Sequence, residues 1–161
     1  MSLIKTFSKS FFTSILLIGM TNATAASSLK VENAWSPEAP PVTKVMAGYM
    51  KIHNLSGKDI KILFAKSSLF KNIEIHLTEI KNGMMRMVKQ NKLNIKAKGH
   101  IELKPGGLHM MLIGKLKPIS SGSFIPITIS FDNGETMSVN LEVRTDRPSK
   151  MKCGSGKCGS M

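Results

Sequence analysis

Short runs of period-two alternation between apolar and polar residues fill most of the chain between residues 31 and 143. In Val45 to His53, Met46, Gly48, Met50 and Ile52 fall on one face, and Ala47, Tyr49 and Lys51 on the other. Successive side chains of a strand point to opposite sides, so this run predicts a strand with an apolar inner face. Val31–Trp35, Ile60–Lys66, Ile73–Ile80, Met84–Gln90, Lys92–Ala97, Leu108–Ile113, Phe124–Phe131 and Thr136–Val143 are expected to be strands as well, and Ile101–Leu103 leads into the turn at Pro105. Ser36 to Pro41 is expected to break regular structure. Asn54–Asp59 reads as a turn, and Ser67–Lys71 as a loop or single helical turn. No 3.6-residue period persists for three turns, so the expected fold is all-β, a sandwich or barrel of short strands in a single domain over residues 26–146.

Two turn signals carry more detail. Asn82-Gly83 between apolar runs predicts a two-residue type I′ hairpin. That turn fixes the register: Lys81 opposite Met84, Thr78 opposite Met87, His76 opposite Lys89. His76 and Met87 then lie on one face as diagonal neighbours, with Cα atoms ~7–8 Å apart. Pro105-Gly106-Gly107 turns the chain into Leu108–Ile113, where alternation puts His109 and Met111 on one face and Met110 on the other, toward the core.

The N-terminal segment departs from this pattern. Lys5 and Lys9 precede an apolar run from Phe11 to Met20, followed by Ala23-Thr24-Ala25. These are the three parts of a secretory signal peptide, expected over residues 1–25 with cleavage near Ala25, and the run is short for a bilayer span. An exported, periplasmic protein without stable membrane insertion is therefore expected. The net charge of +13 over 161 residues comes from scattered Lys with few Arg, one Trp and one Tyr. A nucleic-acid surface would interleave Arg and aromatics, so solubility, or weak attraction to anionic membrane surfaces and acidic partners, is the better reading. Residues 147–161 read as a flexible tail holding both cysteines, Cys153 and Cys158.

With no Cys in the body, a metal site there draws on His, Met or carboxylate. Imidazole with thioether is a soft donor pair, suited to Cu(I) more than to Mg or Ca. Thioethers carry no proton to lose, whereas His binds only when neutral, so acid is expected to release the ion. The candidates are His76, Met87, His109 and Met111. Met85 shares the face of Met87 as a candidate auxiliary ligand. His53 and His100 have no partner pattern and read as surface or structural residues, and Trp35 as packing. A blue-copper electron-transfer site would need a body Cys, which is lacking. Neither a triad, a phosphate loop nor a recognisable carboxylate pair is present, so no catalysis is expected.

The spacing His76-x10-Met87-x21-His109-x-Met111 resembles the signature of the PCuAC-type periplasmic copper chaperones. Asn33-Ala34-Trp35 before a Pro-rich stretch, Ala47 to Asn54, and Pro105 to Leu112 resemble that family's opening, second strand and most recognisable segment. The resemblance covers about Leu29 to Val143. It implies a cupredoxin-like Greek-key β-sandwich or barrel binding one Cu(I) through two His and two Met. It also implies delivery to the copper centre of cytochrome c oxidase, alongside Sco-type proteins; the chain itself is expected to be a monomer. The Cys153/Cys158 tail departs from the family domain and is a candidate auxiliary copper site. Two other readings stand beside delivery: copper sequestration for tolerance, which the tail favours, and an interaction module whose cysteines exchange thiols.

Overall fold

The computed structural model describes residues 27–145. The signal segment with its expected cleavage near Ala25, and the tail with Cys153 and Cys158, lie outside the described residues. Ten strands follow in chain order: β1 Leu29–Pro37, β2 Val45–Asn54, β3 Ile60–Lys66, β4 Phe70–Lys81, β5 Met84–Lys89, β6 Leu93–Ile95, β7 His100–Leu103, β8 Leu108–Lys115, β9 Phe124–Phe131 and β10 Thr136–Arg144. No helix occurs among the described residues. The fold is thus all-β and a single domain. The strands bond in the order β5-β4-β8-β2-β1-β10-β9-β3-β6, with β7 also on β2.

β2 is the corner of the architecture. Val45–Gly48 pairs with β8, Met50–His53 pairs with β7, and β1 runs along the other edge. Its inner face buries Met46, Met50 and Ile52, as the alternation predicts. A Cβ on Gly48 would lie 2.9 Å from Leu141 Cδ1, so glycine there lets a β10 side chain press onto the strand. Ile73, Ile75, Met110, Leu112, Ile125, Ile127, Ile129, Leu141 and Val143 complete much of the same core. Each of these side chains contributes about 1.5–3 kcal/mol when fully removed from water.

Where β2 ends, buried Asn54 replaces the lost ladder. Its Nδ2 donates to the carbonyls of Lys58 (2.7 Å), Ile95 (3.1 Å) and Lys96 (3.1 Å), and its Oδ1 accepts from Ser56 N at 2.9 Å. Nearby, Asp59 accepts from Lys96 Nζ (2.9 Å), Asn94 Nδ2 (3.1 Å) and Ala97 N (2.9 Å). These bonds, that of Lys96 first, hold its carboxyl at about 2 instead of 3.8. The folded value lies below the unfolded one, so this stabilisation is present above about pH 4 and lost as pH falls toward 2. The melting temperature is therefore expected to fall between pH 4 and pH 2, and less steeply in Asp59→Asn. Parallel falls in the two proteins, followed by circular dichroism, would contradict the assignment.

Three local features differ from the sequence expectation. β1 does not stop at Ser36: Ser36 and Pro37 pair in parallel with Val143 and Arg144. Pro37 has no N–H to give, and Glu38 N takes up the next bond to Arg144 O at 2.8 Å, so proline sits where the ladder can spare a donor. Asn33 adopts φ 51° and shifts the β1–β2 register between Glu32 and Trp35, a bulge that simple alternation does not signal. β4 begins at Phe70, which leaves only a short turn of the loop expected over Ser67–Lys71.

Candidate metal centre

The hairpin of β4 and β5 has the expected turn. Asn82 and Gly83 have φ 53° and 73°, the paired positive values of a type I′ turn. The register runs back through Lys81↔Met84, Ile80↔Met85, Thr78↔Met87 and His76↔Lys89. On its other side β4 pairs with β8, placing His76 opposite His109 and Glu74 opposite Met111. Glu74, His76 and Thr78 therefore share one face with Met85, Met87, His109 and Met111. Met110 faces the other way and is fully buried. The two imidazole centroids lie 6.0 Å apart, edge to face.

The turn before β8 orients His109. Gly106 takes φ 75°, and Lys104 N donates to Leu108 O at 2.7 Å across the turn. The Gly107 carbonyl then accepts twice, from Thr78 N of β4 at 3.2 Å and from His109 Nδ1 at 3.0 Å. A carbonyl only accepts, so His109 carries its proton on Nδ1 and presents a lone pair at Nε2. His76 is fixed from the opposite ring position: its Nε2 donates to Glu74 Oε2 at 2.9 Å, leaving the lone pair on Nδ1. Lys89 Nζ bonds Glu74 Oε1 at 2.6 Å. That bond first, and the one from His76 second, hold the Glu74 carboxyl at about 2, so it is an anion at any pH where His can bind metal.

His109 Nε2 and His76 Nδ1 are both buried and have no hydrogen-bond partner. An unpaired buried polar atom is rare and costly. Two of them, on facing rings whose other nitrogens are each tied down, form the arrangement of metal-binding imidazoles held by outer partners. Among the described residues no three His, Cys, Asp or Glu form a group that could hold a metal ion; the further soft donors on this face are the thioethers of Met85, Met87 and Met111. Met111 is half-buried beside them on β8. Met87 sits one step along the hairpin with 56% of its surface exposed, and Met85 with 67%.

Sequence reasoning singled out the two His and the Met residues but missed Glu74, Lys89 and the Gly107 carbonyl. Glu74 was readable: two residues before His76 in a strand, it shares that residue's face. Lys89 follows from the hairpin register. The Gly107 carbonyl leaves no mark in residue type. Trp35 packs on Tyr49 with ring centroids 4.9 Å apart.

Residues 29–143 match the family model described as putative lipoprotein LpqE-like. The putative lipoprotein Lxx21020 of Leifsonia xyli subsp. xyli is 29% identical over 120 residues, which are 74% of this chain and 71% of that protein. The solution structure of CuI-DR1885 from Deinococcus radiodurans is similar at TM-score 0.57 and 28% identity, over 77% of this chain and 83% of that one. The copper-bound PCuAC domain from PmoF2 shares the fold at TM-score 0.64 and 17% identity, over 76% of this chain and 97% of that one.

Proposed function

The chain belongs to the LpqE-like family, and from that premise we propose that it is an exported, non-enzymatic carrier of Cu(I). The observation that carries this reading is the pair of buried, unpartnered nitrogens on facing imidazoles, with thioethers on the same face. His76 binds through Nδ1 and His109 through Nε2. Met111 and Met87 supply sulfur, with Met85 in reserve. Four neutral donors with two soft sulfurs suit Cu(I) and serve Mg or Ca poorly. Glu74 and the Gly107 carbonyl hold the imidazoles in the binding tautomer without touching the ion. The Cu(I) in CuI-DR1885 supports the choice of metal.

We further propose delivery over storage. The sulfur side of the site is open to solvent, with Met85 and Met87 exposed, where an acceptor can reach the ion. A Sco-type protein or a cytochrome c oxidase subunit is the proposed recipient, and the periplasm the compartment. The signal-like N-terminus and the lipoprotein relative support export. Sequestration is the second reading, favoured by Cys153 and Cys158, a soft thiol pair while reduced. A strain lacking the gene is expected to lose oxidase activity at low copper while keeping its copper tolerance. Normal oxidase with copper sensitivity would establish sequestration instead.

A further inference from the structure

A second pair of imidazoles lies on the outer face of β1, β2 and β7. His53 and His100 stand directly opposite each other in the β2–β7 register, with ring centroids 5.4 Å apart and planes inclined by 40°. His53 Nε2 donates to Glu32 Oε2 at 3.1 Å, which leaves Nδ1 as the lone-pair nitrogen of that ring. The arrangement repeats the one at His76: a carboxylate ties one nitrogen of one ring, and a second imidazole faces it across the ladder.

The spacing fits one shared ion. A metal ~2.0–2.1 Å from each ring nitrogen, at an angle near tetrahedral, puts two imidazole centres about 5 Å apart. The donor chemistry differs from that of the first site, since no Met lies on these paired positions. Nitrogen, carboxylate and water suit a borderline divalent cation, and Cu2+ stands highest in the affinity order. The neighbouring cations are partly neutralised: Lys30 Nζ bonds Glu32 at 2.9 Å, Lys104 bonds Glu102 at 3.2 Å, and Lys51 stands between Glu32 and Glu102 in the ladder.

We propose that His53 and His100 form a second metal site, a two-imidazole clip for Cu2+ on the outer face of β2 and β7. Water completes the coordination, and Glu32 orients His53 as a positioning residue. No residue of the clip takes part in the Cu(I) reading, so either proposal can fail alone.

The test uses the full chain with Cys153→Ser and Cys158→Ser, titrated with Cu2+ under air. Electron paramagnetic resonance reads the ligands, and paramagnetic broadening of amide NMR signals reads the location. One equivalent with imidazole nitrogen coupling is expected, with broadening centred on residues 30–32, 51–53 and 100–102. Exposed His100→Gln is expected to weaken binding by about 10-fold or more, as is His53→Gln, and Glu32→Gln by about 10-fold. Broadening centred on His76 and His109, affinity unchanged in the His53→Gln, His100→Gln double variant, or a Kd above about 1 mM would overturn the proposal.

Discussion

Combining His109→Ala with Met111→Ala is expected to abolish Cu(I) binding in a chain whose Cys153 and Cys158 have been replaced by Ser. The pair removes one of two facing imidazoles and the thioether beside it on β8, leaving His76 and the exposed Met87 on a hairpin. If each lost donor costs about 2 kcal/mol, affinity falls at least about 1,000-fold. Competition with a chromophoric Cu(I) chelator measures it. The Cys replacements matter because a thiol pair would otherwise bind the ion and mask the loss. Far-UV circular dichroism checks the fold, and His76→Ala with Met87→Ala attacks the same site from the hairpin. Affinity within tenfold of the parent in both double variants would mean the ion lies elsewhere.

Met110→Ala is expected to do the opposite of Met111→Ala, although the residues are adjacent. Met110 has no exposed surface and stands opposite Gly48 of β2 within the core, its Cβ 3.4 Å from where a Cβ on Gly48 would lie. Truncation there leaves a cavity in a closed core and costs about 2–5 kcal/mol, a fall in melting temperature on the order of 10 °C. The Cu(I) stoichiometry of the folded protein stays at one. Met111→Ala is expected to leave melting nearly unchanged and to weaken Cu(I) by roughly 30-fold. Thermal melts and chelator competition on both single variants separate the two roles. A Met110→Ala protein that melts normally but binds Cu(I) poorly would reverse the strand parity on which the site depends.

That parity was legible in the sequence because β-structure has a fixed period. Once Asn82-Gly83 set the hairpin turn, every β4–β5 pair followed from counting, and so did the diagonal relation of His76 to Met87. Likewise Met46, Met50 and Met110 could be separated from Met111 by alternation alone. The directness of the His76–His109 pair could not be read this way. It depends on the β4–β8 register, which no local turn sets, since β4 and β8 are joined through β5, β6 and β7. The same holds for His53 and His100, which reading in isolation classed as surface residues. Their opposition comes from the β2–β7 ladder, a pairing of strands distant in sequence. Pro37 misled for a different reason: proline forbids a donor at one position, and the parallel partner β10 needs none there.

The Gly107 carbonyl joins two roles that usually belong to different atoms. It closes the β4–β8 seam through Thr78 N and fixes the His109 tautomer through Nδ1. The ligand geometry is therefore complete only while the seam is zipped, and an ion held between His76 and His109 spans that same seam. Under the proposed function, cargo acts as a clasp: by mass action the loaded form resists local opening of the hairpin, and the empty form opens more often. The cellular lifetime of the carrier would then follow the copper supply, since proteases act on opened segments and the empty molecules offer more of them.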